Sequence, residues 1–262
     1  MLVVKNLHKT FFAGTANEKK ALQGIDLTLE DGDFVTVIGS NGAGKSTLLN
    51  AIAGVFPVDE GTIEIDGIDL THMKEHARAK YIGRVFQDPM RGTAANMMIS
   101  ENLAMASRRG QKQGLVWSEK ADQMEEFKQM LASLNLGLEN RMTTHVGMLS
   151  GGQRQAITLL MATLVRPKLL LLDEHTAALD PKTASKVLEQ TRQIVTDNHL
   201  TTLMITHNMR DAITFGTRLI MMHDGRIVVD IKGEEKQKLT VADLLELFEK
   251  RTGNVSDNAV LG

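Results

Sequence analysis

Apolar positions along this chain change period in an orderly way. Residues 2–4 and residues 22–29 are apolar-rich runs that bracket a polar stretch over 14–20. The second run partly alternates apolar with polar, as a half-buried strand does. Gly32 punctuates, and residues 34–38 form a compact β-branched strand. A glycine-rich loop over 39–44 comes next, then a helical period over 45–53. Strand, glycine loop and helix in that order make one unit of an α/β fold. Residues 61–67 predict a short strand and turn, 71–81 a helix, and 83–87 a strand closed by Asp88 and Pro89. From 99 to 136 the period is helical, broken over 108–114 by a basic loop rich in glutamine and glycine. The block over about 88–149 shows no strand pattern and reads as helices inserted into the α/β body.

The body resumes at Ser150. Residues 153–165 predict a helix, and 168–173 have the near-continuous apolar run of a strand buried on both faces. A helix over 182–198 and strands over 201–206, 218–222 and 226–231 follow. The last helix is expected over 241–250, with Thr240 as its N-cap and Asp243 in its first turn. Residues 253–262 are small and polar, as in a loose tail.

Composition narrows the function. The chain of 262 residues contains no cysteine, which excludes disulfides, zinc-thiolate sites and thiol catalysis. Its 30 basic and 32 acidic residues leave a net charge of -2, so no global field draws it to nucleic acid or an anionic membrane. Aromatics at 4% do not furnish a stacking platform for single strands. The longest nearly apolar run, 156–165, falls short of the roughly 18 residues that span a bilayer. No secretory signal is expected from the N-terminal pattern.

The chemistry concentrates in three places. Gly39-Ser40-Asn41-Gly42-Ala43-Gly44-Lys45-Ser46 fits the phosphate-loop pattern at every fixed position, between a strand and a helix. Glycines let the backbone approach phosphate so that its amides point inward, and the helix N-terminus adds its positive end. Lys45 would reach the β- and γ-phosphates, and Ser46 would hold Mg²⁺ with Thr47 beside it. Next, the apolar run 169–172 ends in Asp173 and Glu174. A carboxylate at the C-terminal edge of a buried strand sits where open α/β sheets bind ligands. Asp173 suits Mg²⁺, and Glu174 is placed to polarise a water. Between these lies Leu149-Ser150-Gly151-Gly152-Gln153. Ser150 is a natural N-cap, Gln153 completes a capping box, and Gly151 and Gly152 leave amides bare for an anion.

LSGGQ between a phosphate loop and LLLLDE resembles the nucleotide-binding subunit of an ATP-binding cassette (ABC) transporter, and the likeness runs from residue 2 to about 250. The resemblance implies an α/β phosphate-loop NTPase fold: a RecA-like core, an antiparallel β subdomain and an inserted helical subdomain over about 88–150. On this reading residues 1–252 are one ATPase domain. It implies ATP and Mg²⁺ as ligands. Gln87 matches the glutamine that senses Mg²⁺ and touches the membrane partner, Asp180 lies in the D-loop match, and His207 matches the switch histidine at the γ-phosphate. Phe11 takes the place of the aromatic that stacks on adenine, with Phe12 as the neighbouring candidate.

The family pattern further implies a homodimer around two ATP molecules, in which Ser150, Gly151, Gly152 and Gln153 of one chain close on the γ-phosphate held by the other. It implies integral membrane permease subunits, a solute-binding protein and a peripheral place on the cytoplasmic face of the membrane. Residues 173–183 look like ATPases of importers with a separate binding protein, including those for amino acids, whereas 13–20 resemble lipoprotein and macrolide exporters. One position departs: His175 stands where the family usually has proline. Its imidazole either makes the site pH-sensitive or faces a neighbour, the second being the simpler expectation.

Other classes fit less well. Repair ATPases of this type carry long heptad coiled coils, whereas here about a hundred residues without sustained heptads separate Lys45 from Ser150. Translation relatives carry two cassettes, and this chain has one phosphate loop. A kinase or GTPase gives no reason for Gln87 and His207.

Overall fold

The alternating run after the first polar stretch folds back on the N-terminal strand as a hairpin. In the computed structural model, which describes residues 1–111 and 121–252, the strands are β1 Leu2–Phe11, β2 Lys19–Leu29, β3 Phe34–Ile38, β4 Glu60–Ile65, β5 Ile68–Asp69, β6 Ile82–Val85, β7 Leu169–Asp173, β8 Thr202–Ile205, β9 Arg218–His223 and β10 Arg226–Lys232. The α-helices are α1 Lys45–Ala53, α2 Glu75–Arg78, α3 Ile99–Ser107, α4 Ala121–Ser133, α5 Gly151–Leu164, α6 Pro181–Asp197, α7 Met209–Thr214, α8 Gly233–Gln237 and α9 Val241–Thr252. The tail expected over 253–262 and residues 112–114 of the expected basic loop lie outside the described residues. The chain divides into two compact units, Met1–Arg78 with His199–Gly262, and Ala79–Asn198.

The first unit contains an antiparallel sheet in the order β2-β1-β4-β5. Leu2 faces Leu29 and Ile65, and Val4 faces Leu27 and Ile63, so the buried side chains of three strands share one face. β1 runs to Phe11, well past the apolar run at 2–4, because β2 and β4 pair with both of its edges. Its polar residues satisfy their backbone in those ladders while their side chains reach solvent. A second run of strands follows the order β10-β9-β3-β8, with β9, β3 and β8 parallel. Ile38, Leu219 and Met221 share a core with Leu244 and Phe248 of α9. α9 begins as expected: Asp243 Oδ2 accepts from the Thr240 amide at 2.8 Å, and Thr240 Oγ1 accepts from the Asp243 amide at 3.2 Å.

The helix expected over 71–81 is a correction. Only Glu75–Arg78 is helical. Arg78 turns inward and takes the carbonyls of Thr71 at 3.1 Å and Met73 at 2.8 Å, while Thr71 Oγ1 accepts from the Ile63 amide at 3.0 Å. Side-chain bonds have displaced the helical ladder there.

In the second unit β6 and β7 are parallel, with Val85 beside Leu172. Ile99 and Leu103 of α3, Phe127 and Leu131 of α4, and Ile157 and Leu160 of α5 make one buried cluster. Among the described residues between 88 and 149 there is no strand, only an isolated bridge from Met98 to His145. Sequence patterning passes over α7 and α8, which are too short to establish a period.

Candidate functional site

The loop after β3 depends on glycine at defined points. Gly39 has φ +147 and Gly44 φ +100, and a Cβ there would lie 2.2 Å from the Met222 carbonyl oxygen and 2.5 Å from that of Ala21, respectively. No other residue allows the loop to pass so close to β9 and β2. Gly44 caps α1 without a side-chain bond, and the positive end of the helix dipole lies at the loop. Lys45 is 7% exposed, and its ammonium donates to the carbonyls of Gly39 at 2.6 Å and Ser40 at 3.1 Å. Ser46 and Thr47 follow in the same helical turn. The sequence-predicted residues Gly39 to Thr47 are thus one strand–loop–helix turn.

β8 lies parallel to β3, with Val37 beside Ile205, and the Thr206 amide donates to Val37 O at 3.1 Å. His207 therefore leaves the sheet at the same edge as the phosphate loop. The next residue, Asn208, starts α7 by accepting from the amides of Arg210 at 2.9 Å and Asp211 at 3.2 Å. Phe11 ends β1 and meets Phe56 edge to face, with ring centres 5.2 Å apart. The Lys9 ammonium is 5.6 Å from both rings and is held by Asp59 at 2.8 Å. Phe12, with φ 52, is 71% exposed.

In the second unit, parallel pairing of β6 with β7 brings Gln87, Asp173 and Glu174 out at the ends of neighbouring strands. Gln155 of α5 fixes the first of these exits by donating to Phe86 O at 3.3 Å. Arg84 stands 3.8 Å from the Asp173 carboxylate, and its guanidinium lies 4.5 Å above the Phe86 ring. Strand parity explains this: Arg84 pairs with Leu171, which shares a face with Asp173. Glu174 has φ 44, a left-handed backbone that costs an ordinary residue on the order of 1–3 kcal/mol and that gathers at functional sites.

His175 faces a neighbour. It is 3% exposed, and Nε2 lies 3.0 Å from Thr191 Oγ1. Thr191 gives its own proton to Val187 O at 2.8 Å, so the imidazole Nε2 is the donor in the pair. Burial pushes the imidazole down to about 4, and it is neutral at physiological pH.

The capping box predicted at Ser150 is present: Ser150 Oγ accepts from the Gln153 amide and Gln153 Oε1 from the Ser150 amide, both at 3.3 Å. A Cβ on Gly152 would sit 2.2 Å from Thr183 Cγ2, and one on Gly151 3.2 Å from Leu179 Cδ2. The glycines thus let the start of α5 close against the turn that holds Asp180. Asp180 itself caps α6, accepting from the Thr183 amide at 3.1 Å. Hydrogen bonds from the Thr183 side chain and backbone hold its carboxyl below the usual range.

Three cations, two buried and one half-buried, finish the helices that start at these motifs, and sequence patterning gave no sign of them. Neither α1, α5 nor α7 has a basic residue in its last turn. Arg78 donates to Ala51 O at 2.8 Å and Ile52 O at 2.7 Å, at the end of α1. Arg109 donates to Ala162 O at 2.7 Å and to Val165 O, at the end of α5. Lys236 donates to Ile213 O, Phe215 O and Gly216 O beyond α7. Burial lowers its ammonium to about 8, which leaves it charged at neutral pH. Such cations satisfy terminal carbonyls and oppose the negative end of the helix dipole. The donors come from distant segments, so no local signal reveals them.

Each unit carries oxygen donors of the kind a divalent ion takes. Ser46 and Asp173 offer the hard oxygens that Mg²⁺ takes, and Gln87 offers an amide oxygen. Among the described residues no group of three or more His, Cys, Asp or Glu could hold a metal ion by itself.

Comparison with known proteins points the same way. The ABC transporter family matches residues 22–177. A tyrosine transport ATP-binding protein of Clostridioides difficile (strain R20291) is 44% identical over 251 residues, covering 95% of this chain and 99% of that protein. The ABC transporter ATP-binding protein YxdL of Bacillus subtilis (strain 168) is 32% identical over 98% of this chain and 96% of its own length. A dimeric post-hydrolysis structure of the ATP-binding cassette MJ0796, bound to ADP and Pi, superposes with a TM-score of 0.74 at 28% identity, over 88% of this chain and 98% of that one.

Proposed function

From its membership of the ABC transporter family, we propose that this chain is the motor subunit of an importer for an amino acid or a related small solute. It is an ATPase subunit of a transporter. No helix among the described residues is long and apolar enough to cross a membrane. In this reading permease subunits supply the pathway, and the chain lies against them on the cytoplasmic face. A solute-binding protein would deliver the cargo. Residues 1–252 act as one cassette, with a helical insertion over about 88–150.

In this reading the amides of 39–44 and Lys45 grip the β- and γ-phosphates, and Phe11 carries the adenine. Ser46, Asp173 and Gln87 would hold Mg²⁺, which supplies charge neutralisation at the phosphates. Glu174 accepts the proton of the attacking water, its left-handed backbone aiming the carboxylate. His207 and Gln87 orient the γ-phosphate end. Ser150 to Gln153 and Asp180 complete the site of the second copy, so ATP stabilises the closed pair and its hydrolysis reopens it.

The observation that carries the cargo reading is the 44% identity to a tyrosine transport protein across nearly the whole of both chains. Purification of the chain from native membranes in mild detergent tests it. Co-purification of a multi-span permease and a solute-binding protein that binds aromatic or other amino acids is expected. A membrane partner with a large extracytoplasmic domain and no binding protein would overturn import.

A further inference from the structure

Cross-strand register sets Lys19, the first residue of β2, directly opposite Phe11 on β1. The exposed ammonium of Lys19 reaches the phosphate loop: it lies 3.5 Å from the point a Cβ on Gly42 would take. Gly42 has φ +85 and is the middle glycine of the loop. The Lys19 side chain makes no hydrogen bond or ion pair among the described residues, and the adjacent Glu18 carboxylate is engaged with the Gly14 amide at 2.8 Å. By contrast, Lys45 is buried and already bonded to two loop carbonyls. The hairpin thus presents an aromatic ring and a lysine side by side, with the lysine head at the loop.

An uncommitted ammonium beside a phosphate cradle gains most when a polyanion arrives, because its attraction to several phosphate oxygens offsets the ordering of a flexible side chain. We propose that Lys19 is a further nucleotide-binding residue, its ammonium contacting the polyphosphate from the face of the loop next to Gly42. This rests on the reading of residues 39–46 as the phosphate cradle. The contact is electrostatic and exposed, so it favours triphosphate and diphosphate over adenosine and weakens with salt.

Equilibrium binding of a ribose-labelled fluorescent ATP to the full chain tests this, with unlabelled ATP, ADP and adenosine as competitors. Lys19→Met is expected to weaken ATP and ADP roughly tenfold, the low end for a charge-assisted hydrogen bond, and to leave adenosine competition unchanged. Lys19→Arg should restore ATP affinity to within about threefold, since charge and reach are kept. The salt dependence of ATP binding should be shallower in Lys19→Met than in the parent. Lys45→Ala is the control for the site beneath. If Lys45→Ala loses ATP and Lys19→Met does not, the cradle stands and the role of Lys19 is refuted. Equal weakening by Lys19→Met and Lys19→Arg refutes it as well. Parental binding by Lys45→Ala overturns the cradle, and the inference with it.

Discussion

Replacing Arg78 by methionine asks whether the phosphate-loop helix depends on a cation supplied from outside it. The guanidinium is 2% exposed and donates to the carbonyls of Ala51 at 2.8 Å, Ile52 at 2.7 Å, Met73 at 2.8 Å and Thr71 at 3.1 Å. Methionine keeps much of the volume and none of the donors. Ala51 O still accepts from the Gly54 amide at 3.1 Å, whereas the carbonyls of Ile52, Thr71 and Met73 lose the guanidinium bond. A buried carbonyl left without a donor costs about 1–3 kcal/mol. Relief from burying a charge offsets part of that, since burial already holds the guanidinium below its usual range. The net loss is about 3–5 kcal/mol, roughly 10 °C in Tm for a chain of this size. Scanning calorimetry of the parent, Arg78→Met and Arg78→Lys measures it. Lysine keeps the charge but reaches fewer carbonyls, and it should melt between the other two. An Arg78→Met protein that melts within about 2 °C of the parent would refute the reasoning, because then the carbonyls do not need the cation.

Other perturbations reach the site more directly. Glu174→Gln should bind ATP and release phosphate at least about a hundredfold more slowly, the scale of a lost general base; a parental rate of phosphate release removes Glu174 from that role. Protonating His175 should unfold rather than regulate. Its pKa is about 4 folded against 6.5 unfolded, so the unfolded chain binds the extra proton between those values. Stability is therefore complete above pH 6.5 and falls by about 3 kcal/mol as pH drops to 4. Denaturant titrations of the parent and His175→Leu should diverge over that window, and parallel curves would contradict the buried neutral imidazole. Gly152→Ala should lower ATPase activity and stability, the overlap with Thr183 costing about 1–3 kcal/mol. Thr183→Ser in the same chain removes the Cγ2 that the new methyl meets and should recover part of both, read by melting and phosphate release; no recovery means that the methyl is not what matters.

What could be read from the sequence alone was what depends on near neighbours. The phosphate loop, the Ser150–Gln153 capping box and the apolar run into Asp173 each declare themselves within eight residues, because loop curvature, capping and burial are local demands. The helix expected over 71–81 failed for the opposite reason. Its period is right, but Arg78 draws the backbone carbonyls to itself in answer to α1, which lies far upstream. His175 likewise could not be decided without knowing that α6 would set Thr191 against it. Lys19 reads as one more charge in a polar turn until the hairpin register carries it to the loop.

The cations that close the motif helices also bear on how the molecule can be made. Arg78 answers a carbonyl 27 residues earlier in the chain and Lys236 one 23 residues earlier, whereas Arg109 waits for a carbonyl 53 residues later. During synthesis, the turn carrying His207 emerges from the ribosome well before the lysine that seals its helix. A polypeptide truncated between those points holds every motif residue and still leaves the end of α7 open to water. The smallest piece able to close the helix that follows His207 is therefore bounded by Lys236, not by the last of the motif residues.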